Sequence, residues 1–204
     1  MNLQDIWNES WERQKALSVA SSDLPEASWR AGGRASNAYP NKENEDWWQE
    51  HGPQMLWRWV SWRKNGWKLW VGPTGIPAVE LALNPMLGGV MVKMVIDRVM
   101  VTPDGELVIL DLKSGRSEPN PLQLAFYAAG MDKMFGIRPR YGTYWMARSG
   151  TTTSMIDLDA WETPMIESLV KQFDDARTNG VFLPNHSTCK MCSVTQHCQW
   201  YKGE

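Results

Sequence analysis

The chain has no apolar run near the roughly 20 residues that cross a bilayer. Its start, MNLQDIWNESWERQK, carries acidic side chains where an export signal carries basic and apolar ones. These absences lead to the expectation of a soluble, cytoplasmic protein without a membrane partner. Cysteine is scarce, with three residues, all between 189 and 198. An odd number so close together cannot staple a fold, so metal binding is the better reading. No Gly-x-x-x-x-Gly-Lys-[Ser/Thr] loop is present, which excludes ATP hydrolysis by that route. Internal repeats, low-complexity tracts and Pro/Gly-rich linkers are also missing, and 204 residues fit a single domain. A net charge of −2 excludes a strongly basic nucleic-acid coat.

What is there is ordinary globular material, 43% hydrophobic and 22% charged, enough to bury a core. Charge is unevenly placed. Residues 1–50 hold 5 basic and 9 acidic side chains, residues 51–150 hold 12 and 7, and residues 151–204 hold 4 and 7. The positive middle segment would attract a polyanion.

A helix is expected around residues 3–17, within a polar first segment. Seven of the 13 tryptophans lie between Trp47 and Trp70. Met55, Leu56, Trp59 and Val60 recur at helical spacing after Gly52-Pro53, which predicts a helix over about 53–64 with proline in its first turn. Trp57 and Trp62 fall off that stripe and could stack on bases or pack against other elements. Strands are expected at 78–83, 90–101 and 106–113. The last two flank Thr102-Pro103-Asp104-Gly105, a turn in which proline presets φ and glycine tolerates positive φ. A helix over 122–135 closes at Gly136 and Pro139; a strand at 141–147 and a helix at 161–177 follow.

Period-two alternation puts Val95, Asp97 and Val99 on one face of the second strand, and Leu107, Ile109, Asp111 and Lys113 on one face of the third. A carboxylate among apolar neighbours is costly unless paired or metal-bound. With a 103–105 loop, paired residue numbers sum to 208 and Asp97 opposes Asp111, with Cβ atoms about 4.5–5.5 Å apart. A divalent cation between them would make a hard oxygen site of the kind magnesium or manganese prefers. Lys113 lies roughly 6.6 Å beyond Asp111 on the same face. An ion pair of Lys113 with one aspartate would be a structural cluster only. The register, the second acid and the following helix favour function.

Taken in order, Gly88-Gly89 leading to Val95-Ile96-Asp97-Arg98, then Ile109-Leu110-Asp111-Leu112-Lys113-Ser114-Gly115, then Gln123-Leu124-Ala125-Phe126-Tyr127 resembles the PD-(D/E)XK nuclease superfamily. More narrowly the pattern resembles its RecB-like exonucleases. The resemblance implies an α/β fold with a restriction-endonuclease-like core, a central mixed β-sheet flanked by helices, and a C-terminal metal-binding tail. It implies one nuclease domain over 1–204, comprising an N-terminal segment (1–45), a nuclease core (46–180) and a cysteine-rich tail (181–204).

The activity implied is Mg2+- or Mn2+-dependent hydrolysis of DNA phosphodiester bonds by an exonuclease, in recombination, repair or phage DNA processing, within a bacterial or phage-infected cytoplasm. DNA is the implied partner, with a recombination or helicase protein and a second copy of the chain as further candidates. Asp97 and Asp111, with the Leu112 carbonyl, would hold the metal, and Lys113 would stabilise the attacking water and the developing charge. Gln123 and Tyr127, four apart on one helical face, would address the site or the DNA backbone. Glu80 stands where the family often has a glutamate on the preceding strand. The family's histidine ligand follows a glycine, whereas His51 precedes Gly52, so His51 would be displaced into that role or replaced by Gln54 or water.

The tail contains His186, Cys189, Cys192, His197 and Cys198, its cysteines spaced Cys-x2-Cys-x5-Cys, which suits one soft metal centre. This spacing resembles the iron–sulfur motif of RecB-like and CRISPR-associated exonucleases. The chain lacks their N-terminal cysteine, so a 4Fe-4S cluster would need a non-cysteine fourth ligand, while Zn2+ could be completed by His186 or His197. The competing reading is a non-catalytic nucleic-acid-binding module with a nuclease-like fold and a structural zinc tail.

Overall fold

A computed structural model of the chain describes residues 2–201 apart from 27, 28, 30, 33–39, 41, 74, 182–184, 186–188, 190, 191 and 193–196. His186 therefore lies outside the described residues.

Helix α1 (Leu3–Ser21) starts at Asn2, whose side chain accepts from the Gln4 N–H. Helix α2 (Glu45–Trp62) begins eight residues before the expected start. Asn44 caps it by accepting from the Trp47 N–H, while Glu45 and Asp46 complement the positive end of the helix dipole. Gly52-Pro53, read as the start, is instead inside the helix. Gly52 is where α1 crosses: a Cβ there would stand 2.1 Å from the Trp7 ring. The crossing is reinforced by Trp7 Nε1 donating to Gln49 and Trp11 Nε1 donating to Glu45.

The strands are β1 (Lys68–Leu69), β2 (Val79–Leu83), β3 (Met86–Leu87), β4 (Val90–Met91), β5 (Met94–Val101) and β6 (Leu107–Lys113). Then come α3 (Leu122–Phe135), β7 (Tyr141–Met146), β8 (Thr151–Thr152), β9 (Ile156–Asp157) and α4 (Thr163–Thr178). The expected strand over 90–101 is two strands, because β4 pairs with β3 as a separate hairpin and Val92 donates to the Pro85 carbonyl before β5 begins. The expected helices at 122–135 and 161–177 are present within two residues, and Gly136 ends α3 in the left-handed region at φ +64.

Seven strands form one mixed sheet in the order β1-β5-β6-β7-β8, with β2 also on β5 and β9 on β7. The β5–β6 pairing keeps the expected register, with Arg98 opposite Leu110 and Val101 opposite Leu107. Strand β7 then runs parallel to β6, the crossover between them being α3. One face carries Ile96, Val99, Ile109 and Tyr144 against α3 and α4. The other carries Met100, Leu110 and Trp145 against the tryptophan-rich face of α2. Trp62 belongs to that second core, stacked 5.3 Å from Trp59, whereas Trp57 is exposed.

Candidate active site

The open end of the β5–β6 hairpin is where regular pairing stops. The last paired residues are Arg98 and Leu110, and one step further along the two strands come Asp97 and Asp111. There Leu112 N–H donates not to a strand carbonyl but to Asp97 Oδ2, at 2.7 Å. Facing also changes at this point. Ile96 and Val99, three apart, lie in the same core, so the alternation expected of a regular strand breaks between them. Val95, expected to share a buried face with Asp97, is exposed.

Glu80, opposite Asp97 by register, has φ +50, a left-handed conformation rare for a residue with a side chain. Its exposed carboxylate pairs with Arg98 at 3.3 Å. The deformation of β2 and the change of facing in β5 therefore meet beside Asp97.

Asp111 is 1% exposed. Its Oδ2, sealed from solvent, forms an ion pair with Lys113 Nζ at 2.6 Å. Burial pushes the Asp111 carboxyl above its ordinary range; Lys113 opposes this, and the neighbouring charge of Asp97 adds to it. Lys113 also donates to Gln123 Oε1 at 3.2 Å, and Gln123 Nε2 donates to Tyr127 Oη at 2.8 Å. The i, i+4 spacing of Gln123 and Tyr127 on α3 makes this relay. Burial likewise raises the Tyr127 hydroxyl, with the charges of Asp111 and Asp97 contributing.

Tyr144 closes the wall. The Lys113 ammonium stands 5.8 Å from its ring centroid, its hydroxyl donates to the Asn120 carbonyl, and burial followed by the charge of Asp111 pushes its pKa up to about 12. Sequence reading passed over Tyr144; its register opposite Asp111 on β7 is the signal that could have found it.

Asp111, Lys113, Gln123 and Tyr127 are thus joined in one series of contacts, with Asp97 held next to them by the Leu112 N–H. His51 and Glu80 are engaged otherwise. His51 Nδ1 is 2.9 Å from the Trp47 carbonyl oxygen, its ring stacks on Trp47 at 4.1 Å, and Glu50 is at 3.9 Å. Among the described residues no three His, Cys, Asp or Glu side chains converge as a metal site. In the tail, Cys189, Cys192 and Cys198 form no disulfide, and the Cys192 N–H donates to the Cys189 carbonyl.

A curled mixed sheet with helices on both faces, and acids at the mouth of its central hairpin, is a restriction-endonuclease-like α/β core. The chain belongs to the PD-(D/E)XK nuclease superfamily, whose model matches residues 3–199. Among curated relatives, the Gene 69 protein of Mycobacterium phage D29 is 29% identical over 182 residues, covering 78% of this chain and 67% of the relative. The Gene 69 protein of Mycobacterium phage L5 is 27% identical over 201 residues, with 78% and 69% covered. The crystal structure of a candidate exonuclease from Eubacterium rectale shares the fold, with a TM-score of 0.50 at 11% identity over all of this chain and 74% of that one.

Proposed function

We propose that the chain is a divalent-metal-dependent deoxyribonuclease of RecB-like type that degrades DNA from its ends, in phage DNA processing, recombination or repair. The observation that carries this reading is the buried Asp111 carboxylate, with Lys113 2.6 Å from its Oδ2 and the charge of Asp97 acting on it. A sealed carboxylate beside a second acid suits a hard cation better than it suits a stable core. Asp97 and Asp111, with the Leu112 carbonyl, would hold Mg2+ or Mn2+. Two carboxylates completed by water and substrate phosphate is an ordinary set for these ions. The chemistry such a cation supplies when bound is polarisation of a phosphoryl oxygen and activation of water.

The chain's own residues supply the rest. Lys113, held between Asp111 and Gln123, stabilises negative charge developing on the phosphoryl group as the ester bond breaks. Leu112 N–H fixes the orientation of Asp97, and Tyr127 fixes Gln123. The candidate-exonuclease description of the E. rectale protein supports action on ends, and the two mycobacteriophage relatives support a phage setting. Digestion of matched linear and covalently closed circular DNA with Mg2+ or Mn2+ tests it. Linear DNA should shorten from its ends while circles persist. Cutting of circles at a comparable rate would remove the exonuclease reading, and no cutting of either form would remove the nuclease reading.

For the tail we propose that Cys189, Cys192 and Cys198 hold one structural metal centre, either a 4Fe-4S cluster or Zn2+. The Cys189–Cys192 turn, closed by a main-chain hydrogen bond, is supporting geometry for two ligands of one ion. Protein purified without oxygen should contain near-stoichiometric iron with visible absorbance, or near-stoichiometric zinc without it. Neither metal would overturn the assignment.

A further inference from the structure

A cleft of about 980 Å³ opens at the loop that leaves β6 after Lys113. Its lining includes Ser114 and Gly115, the residues directly after Lys113, together with Trp7, Trp11 and Trp48 from α1 and α2 and the cations Lys42, Arg116 and Arg148. Its volume is at the upper end of the roughly 300–1,000 Å³ of small-molecule sites, so it takes more than a single nucleotide. Among the described residues of its lining, one acid, Glu43, stands against the three cations.

The arrangement is built rather than incidental. Glu43 holds both arginines, with Arg116 at 2.8 Å and Arg148 at 2.6 Å. Burial raises the Glu43 carboxyl, but the hydrogen bonds of Arg148 and Arg116 outweigh it and hold the group below its ordinary range. Arg148 Nε also donates to the Ser114 carbonyl at 2.8 Å, and its guanidinium lies 4.9 Å from the Trp47 ring and 6.0 Å from that of Trp48. The loop leaving Lys113 is thereby tied to the cationic, aromatic wall. Trp7 and Trp11 stack at 5.6 Å on the opposite side, each fixed to α2 by its indole N–H.

We propose that this cleft is the track that delivers single-stranded DNA to the Asp97–Asp111–Lys113 centre, a proposal that rests on the nuclease reading above. Indole rings beside guanidinium groups are the chemistry of sequence-independent single-strand binding, with bases against rings and phosphates against cations. A duplex keeps its base faces stacked internally and cannot use tryptophans lining a cleft. The three cations against one acid give the sign a polyanion needs, and Arg116, with 72% of its side chain exposed, is free to exchange Glu43 for a phosphate oxygen.

The test uses the full chain in EDTA, with a short fluorescent oligo(dT) and its duplex with oligo(dA) as probes. Anisotropy and tryptophan quenching report binding; Mg2+ or Mn2+ is added separately to measure cleavage. Wild type should bind oligo(dT) with tryptophan quenching, and the duplex on the order of tenfold more weakly. Arg116→Glu removes a phosphate partner, and Gln14→Glu places a like charge in the cleft from α1. With melting temperatures unchanged, each should weaken oligo(dT) binding on the order of tenfold, and Arg116→Glu should also flatten the salt dependence. A variant that does not fold is replaced by Lys42→Glu at the same wall.

Folded variants that bind oligo(dT) like wild type, or equal affinity for duplex, would overturn the track even if DNA is cut. Wild type that binds oligo(dT) through these residues but cuts nothing with either metal would keep the track and remove the nuclease reading. No binding by wild type in EDTA would overturn the track and leave the cleft to a protein partner.

Discussion

Replacing Asp111 by asparagine separates a metal-holding carboxylate from a structural ion pair, because the two roles predict different changes in stability. If the Asp111–Lys113 contact were structural, removing one member of a buried pair would cost roughly 3–5 kcal/mol. In a chain of this size that is a fall of about 6–20 °C in melting temperature. The surroundings argue otherwise. Lys113 keeps 28% of its side chain exposed and a bond to Gln123, so it can be hydrated when its partner is gone. The Asp111 carboxylate is sealed, is pushed upward by burial despite Lys113, and feels the charge of Asp97.

In EDTA, Asp111→Asn should therefore melt within about 1 kcal/mol of wild type, or above it. Added cation should then separate them. At a tenfold excess over its dissociation constant it stabilises the native state by about 1.4 kcal/mol, or about 3–6 °C for wild type, and much less for the variant. The assay is differential scanning calorimetry with EDTA, Mg2+ and Mn2+. A fall of more than about 6 °C in EDTA, or equal metal-induced shifts in both proteins, would refute the reasoning.

Gly88, at φ +56, has the Glu167 carbonyl 2.3 Å from where a Cβ would sit. Gly88→Ala should thus lower stability by about 2–3 kcal/mol, read by urea unfolding; a loss under 0.5 kcal/mol would contradict the contact. Glu43, whose carboxyl is held below its ordinary 4.5 by the two arginines, should contribute stability above pH 4.5 that disappears as pH falls through its lowered value. The gap in melting temperature between wild type and Glu43→Gln should accordingly shrink on acidification below pH 4.5.

The hairpin was legible because its determinants are local: Thr102-Pro103-Asp104-Gly105 sets the turn, and the turn sets the register from Val101–Leu107 to Arg98–Leu110. Helix α3 was legible for the same reason, framed by Pro121 and Gly136. The start of α2 was not, because a Gly-Pro pair reads as a boundary until Trp7 of another helix is seen lying on that glycine. Nor could alternation alone show the change of facing around Asp97 or the left-handed backbone at Glu80. Both arise where β2, β5 and β6 meet, and neither has a local sequence signal. The cleft is assembled from segments over a hundred residues apart, with Glu43 holding Arg148. Only the positive charge of the middle segment hinted at its cationic side.

The central claim is that Asp111 and Lys113 work on one phosphodiester. Initial rates of cleavage of end-labelled linear DNA, with Mg2+ or Mn2+ present, measure it in wild type, Asp111→Ala and Lys113→Ala, each shown to be folded. The predicted result is a loss on the order of a hundred- to a thousandfold in both variants. Rates within tenfold of wild type in either folded variant would contradict it.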